Sequence, residues 1–178
     1  TYRGNKNWMK VHEQEMNSPL FDDIENLKPV IQQGASDSAA LDNVFELLNI
    51  SGQPAPLAKL MLVPDAWSKK NKTLSKDHQQ LFNFLNSTME PWDGPAAIAG
   101  TDNEWVIAAN DRNGLRPLRY AITKDNLLFA GSETGMIELN EKKIITKGRL
   151  GPGEIIGVRI EKGKVFTNSK IKDYLAKE

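Results

Sequence analysis

The hydrophobic pattern of the chain changes once, near Pro95, and no other feature constrains the fold as strongly. Before that point apolar residues recur mostly at helical spacing; after it they come in short runs of strand length broken by turns. Pro19 suits the first position of a helix carrying Leu20, Ile24 and Leu27 on one face, with Pro29 as its stop. The clearest helix follows GASDS, where Leu41, Val44, Phe45 and Leu48 form a stripe that ends before Ser51-Gly52. APLAKLML reads as a short helix or buried segment closed by Pro64, and a further helix runs from an N-cap at Ser75 through Leu81, Phe82, Leu85 and Met89.

Beyond Pro95 the runs AAIAG, WVIAA, LRYAIT and LLFAG alternate with the turns TDNE, NDRNG and KDN. This predicts a meander of antiparallel strands, extended by 142–146, 154–160 and 165–167, with turns at Gly148, 151–153 and 161–163 and a capped helix over 169–177. Helices followed by such a meander give an α+β layer fold and not an alternating parallel one. With no repeat and no linker, one domain is expected, helical over about 1–92 and strand-built over about 93–178.

Charge and composition narrow the function. Lys plus Arg and Asp plus Glu each number 23, so the net charge is zero and no global field draws the chain to nucleic acid or anionic lipid. No apolar run reaches the roughly 20 residues of a membrane span, and the opening TYRGNKNWMK is neither a signal nor a transit sequence, so no membrane partner and a cytoplasmic location are expected. The absence of Cys removes disulfides, thiolate metal sites and a thiol nucleophile from this chain, and His12 and His78 are too far apart in sequence to suggest a zinc site.

Five segments invite a chemical reading. In Gly34-Ala35-Ser36-Asp37-Ser38 a carboxylate at a helix start can cap backbone N–H groups; equally, Asp37 can pair there with the ammonium of a ligand, one oxygen serving each task. Asp111 to Pro117, with its Asn-Gly pair, reads as a tight hairpin turn between two strands; its two Arg could bind a phosphate or carboxylate, but ion pairs with Asp111 that brace the turn are the commoner use. Polar groups beside Trp8 in GNKNWM can line a pocket, although a Trp in that setting more commonly packs at an edge. Glu90-Pro91-Trp92-Asp93-Gly94-Pro95 reads as a rigid connector, and the Lys69-Lys70-Asn71-Lys72 run as a solvated loop. No nucleophile with an adjacent base, phosphate loop or carboxylate metal set is present, so the residues alone lead to an α+β domain with one conspicuous Asp.

GNKNWMK, SDSAALDNVFELL, MLVPDAW, MEPWDGPAA, DRNGLRPLRY, GSETGM and KGRLGPGE, taken in order, resemble the successive signatures of the glutamate synthase large subunit, in the class II glutamine amidotransferase domain. The resemblance implies an N-terminal-nucleophile hydrolase fold of αββα layers with antiparallel sheets, of which this chain would be the C-terminal portion. It implies a glutaminase that uses an N-terminal Cys thiol, an Asn-Gly oxyanion hole, and an Arg and an Asp that hold the carboxylate and ammonium of L-glutamine. Asp37 matches that Asp in the family's Ser-Asp-Ser motif, with Ser36, Ser38 and Gly34 shaping the pocket. The nucleophile, the oxyanion pair and the Arg have no counterpart here, so the resemblance implies that the isolated chain is inactive. FMN and an iron-sulfur cluster are expected in the remainder of the large subunit, a small reductase subunit is a candidate partner, and the ammonia would aminate 2-oxoglutarate. The alternatives are a catalytically silent amino-acid-binding or docking module of the same fold and, from the Arg-Pro turn alone, a phosphoribosyl-type amidotransferase.

Overall fold

The computed structural model describes residues 4–66 and 74–177. The Lys69 to Lys72 run lies outside the described residues. Five α-helices and seven strands appear among the described residues, in the order helices, strands, helix.

Helix α1 (Gly4–His12) carries Lys10 and His12 in its last turn, where cations suit the helix dipole. The helix expected from Pro19 does not form. Instead a single 3-10 turn spans Ile24–Leu27, and Leu20 is 65% exposed. The Asp23 carboxylate accepts the Glu25 N–H, a local bond that competes with helix, and Pro29 blocks continuation. Helix α2 (Asp37–Ile50) follows its predicted stripe: Val44 is fully buried, and Leu41, Phe45 and Leu48 pack against the core beside it. Helix α3 (Ala55–Leu62) begins after Pro54, which offers no side-chain cap. Its first N–H is taken by the Asp102 carboxylate, which also accepts from Glu104 and Trp105 and so ties the helix start to a turn between strands. Helix α4 (Lys76–Thr88) is capped by Ser75 as predicted and buries Leu81, Phe82 and Leu85.

The strands divide into two antiparallel sheets, as the resemblance implies, and not into the single meander read from the apolar runs. Strands β1 (Ala97–Thr101), β2 (Trp105–Asn110), β6 (Ile155–Arg159) and β7 (Lys164–Phe166) form one sheet in that order. Strands β3 (Arg119–Thr123), β4 (Leu128–Gly131) and β5 (Ile144–Arg149) form the other, in the order β4-β3-β5. Asp111 to Pro117 is therefore a crossing between sheets and not a hairpin turn. Of its Asn-Gly pair only Gly114 takes a positive φ, +66°. Gly148, expected in a turn, lies inside β5 with the Tyr120 ring over it; a Cβ there would stand 2.3 Å from that ring. Strand β5 starts later than predicted because Asn140 caps a 3-10 turn over Glu141–Lys143. The closing helix α5 (Asn168–Leu175) has no side-chain cap, and Asn168 instead accepts from the Ile155 N–H.

Alternation along β2 builds the layers. Trp105, Ile107 and Ala109 join Leu60, Phe82, Leu85 and Ile171 in a core between the four-stranded sheet and the helices. On the opposite side Ala108 and Ile156 meet Tyr120 of the second sheet and Leu118 and Leu150, which flank its strands. A third cluster, around Val30, Val44, Leu62 and Trp92, lies under α1 and α2. Phe45 and Ile98 pack against both helical clusters and join them. The resulting helix-sheet-sheet stack supplies three of the four αββα layers.

Candidate functional site

Two elements distant in sequence form the candidate site. Gly34, at φ +79°, turns the chain into the start of α2. Ser36 is the N-cap: its Oγ accepts the Ala39 N–H at 3.1 Å and lies 3.1 Å from the Ser38 Oγ. Asp37 is thus relieved of the capping task expected of it. Its Oδ1 lies 3.7 Å from the Lys6 Nζ, with the Asp37 side chain 27% exposed. Lys6 in turn donates to the Ala35 carbonyl at 2.7 Å, which fastens α1 to the turn that presents Asp37.

Lys6, Asn7, Ala35, Ser36 and Asp37 line an open groove of about 510 Å³. Of the four residues predicted for the site, Ser36 and Asp37 line it, Gly34 forms the turn behind it, and Ser38 pairs with Ser36 at its rim. Lys6 and Asn7 belong to the GNKNWM stretch whose polar groups were expected to line a pocket, but the pairing of Lys6 with Asp37 was missed. The polar stretch around Trp8 was the available signal, but nothing in local spacing brings Lys6 to a residue 31 positions away. Trp8 itself stacks on His12, ring centroids 4.4 Å apart, at the edge of the core.

Asp111 braces its crossing through backbone groups, not through the predicted ion pairs. Its carboxylate accepts from Asn113 and Leu115 on one oxygen and from Ala96 and Arg116 on the other. Burial pushes this carboxyl up, but the bonds from Leu115, Arg116, Ala96 and Asn113 outweigh it and hold the group below its ordinary value. The Glu90 to Pro95 connector is anchored as well: the Trp92 N–H reaches the Leu62 carbonyl and Asp93 accepts from Asn113.

A second charged cluster is buried. Lys59, 1% exposed, donates to the Gly153 carbonyl at 2.7 Å, and Lys172, 3% exposed, pairs with Asp65. Burial lowers the Lys59 ammonium to about 8 against the opposing pull of Asp65. The first contact pins α3 to the loop before β6 and the second pins α5 to the segment after α3, both structural tasks. Among the described residues no group of three or more His, Cys, Asp or Glu is placed to hold a metal ion, and no helix is long and apolar enough to cross a membrane.

A helix-sheet-sheet stack of antiparallel strands, with the Asp37 carboxylate beside Lys6 at the head of α2, is the arrangement expected of one class of enzymes. The chain belongs to the class II glutamine amidotransferases, whose family description matches residues 1–178. It is 51% identical over 99% of its length to the NADPH glutamate synthase large chain of Azospirillum brasilense, and 38% identical over 100% to that of Bacillus subtilis (strain 168). It is also 41% identical over 99% to the chloroplastic ferredoxin-dependent glutamate synthase 2 of Arabidopsis thaliana. The chain spans only 12%, 12% and 11% of the length of these relatives.

Proposed function

We propose that this chain is the C-terminal portion of a single glutaminase domain in a glutamate synthase, and that Asp37 holds the α-ammonium of L-glutamine there. The observation that carries the reading is the Asp37 carboxylate, freed from capping by Ser36 and facing an open groove. A carboxylate at that position is favoured by the dipole of α2 and is acceptor-only, which suits an ammonium ligand. Gly34, Ser36 and Ser38 fix the backbone that presents it.

The chemistry of the class needs a thiol, and this chain of 178 residues has no Cys. In this reading the chain binds and orients the substrate, while the nucleophile, the oxyanion donors and the Arg for the α-carboxylate come from elsewhere in a longer protein. The isolated chain would not hydrolyse glutamine. The ammonia released in the whole protein would aminate 2-oxoglutarate. FMN would supply the reducing electrons from the remainder of the large subunit, and an iron-sulfur cluster would belong there too, since this chain has no Cys to ligate one. A small reductase subunit is the further partner proposed, and the cytoplasm the compartment. Relatives named for NADPH, NADH and ferredoxin all match this region, which suits a segment that does not choose the electron donor.

The test is glutamate release from L-glutamine by the full-length protein, which is expected, set against the isolated chain, for which none is expected. A full-length protein that binds glutamine without releasing glutamate would overturn the glutaminase reading and leave a silent amino-acid-binding module.

A further inference from the structure

The groove at the head of α2 carries two opposite charges, and the second has a use of its own. We propose that Lys6 binds the α-carboxylate of the amino-acid substrate, so that Lys6 and Asp37 together select a zwitterion. The inference rests on the reading of Asp37 as the α-ammonium site.

Lys6 has three N–H donors, and the Ala35 carbonyl takes one at 2.7 Å. The Asp37 Oδ1, at 3.7 Å, is within ion-pairing range but beyond hydrogen-bond length, so it does not hold a second donor. A donor is therefore available to a ligand in the groove that both residues line. The bond to Ala35 also fixes the Lys6 ammonium in place before any ligand arrives, which lowers the ordering cost of binding.

Charge balance determines what such a groove takes. A ligand bearing only an ammonium meets an Asp37 charge already offset by Lys6, and is repelled by Lys6 itself. A ligand bearing only a carboxylate meets the reverse. An α-amino acid, with both groups on one carbon, places its ammonium towards Asp37 and its carboxylate towards Lys6, and each contact is a charge-assisted hydrogen bond. Lys6 is then a second anchor for the α-carboxylate, beside the Arg that the family resemblance supplies from outside this chain.

The experiment compares L-glutamine with L-glutamine methyl ester, which keeps the ammonium and loses the carboxylate charge, in the full-length protein by ammonia release. Lys6→Met is expected to raise KM for L-glutamine about tenfold, with kcat within about twofold, and to lower KM for the ester, which Lys6 no longer repels, so that the preference for the free acid collapses. Lys6→Arg, which keeps the charge, is expected to retain most of that preference. Equal losses on both substrates would mean that Lys6 only holds the Ala35 turn, and no loss on either would mean that it does not reach the ligand; each overturns the proposal. Asp37→Asn separates the two levels. A raised glutamine KM in Asp37→Asn with no effect of Lys6→Met overturns the Lys6 role alone, whereas an unchanged KM in Asp37→Asn overturns the Asp37 reading and this one with it.

Discussion

The Lys59 ammonium, buried on α3, donates to the carbonyl of Gly153 at 2.7 Å, across 94 residues of sequence. Gly153 sits at φ +70°, and a Cβ there would lie 2.7 Å from the Asp65 Cα, so the loop approaches the segment after α3 as closely as only glycine allows. Asp65, Lys172 and Asp111 are the other charges that act on this ammonium.

Stability should therefore depend on pH through Lys59. Its folded value of about 8 lies below the ordinary lysine value of 10.5, so between these the unfolded chain binds more protons and folding gains as pH rises. Wild-type stability is expected to gain roughly 3 kcal/mol relative to Lys59→Met across that window. Urea denaturation of both proteins at pH 7.5 and pH 10.5 checks this. Parallel changes in the two would show that Lys59 is not the titrating group.

Asp111→Asn leaves one oxygen for the N–H groups of Asn113 and Leu115 but turns an NH2 towards those of Ala96 and Arg116. A loss of about 2–4 kcal/mol is expected from the two unpaired donors. Because the folded carboxyl is held below its ordinary value of 3.8, its contribution is present above that pH and disappears as pH falls through the folded value. The wild-type advantage over Asp111→Asn in chemical denaturation should shrink accordingly below about pH 3.8.

Ser36 and Asp37 are adjacent yet should fail in different ways. Ser36→Ala removes the N-cap of α2 and is expected to cost about 1 kcal/mol of stability, whereas Asp37→Asn should cost less than about 0.5 kcal/mol. Thermal unfolding of the two variants separates a capping residue from a binding one. Equal losses would show that Asp37 shares in holding the helix.

How far the sequence predicted the fold depended on the range of the interactions involved. The stripe Leu41, Val44, Phe45 and Leu48 and the Ser75 cap were readable because helices are built from contacts three and four residues apart. The 19–29 stretch had the same apolar spacing but lost its helix to one carboxylate, Asp23, bonding two residues ahead. Strand positions were readable, but strand partners were not: nothing in the alternation of β2 says that it pairs with β6, 48 residues further on in the Ala108↔Ile156 register between them, and not with β3. The hairpin expected at Asp111 failed for that reason. At the site, Asp37 could be found from a local motif, while Lys6 comes from another helix, and only folding brings its charge to the groove.

The most direct test of the central claim is the KM for L-glutamine of the full-length protein carrying Asp37→Asn. Loss of one charge-assisted bond to the α-ammonium should raise KM about 10- to 100-fold while thermal stability stays near wild type. A KM unchanged from wild type would contradict the account and return Asp37 to the role of an ordinary surface residue at the head of a helix.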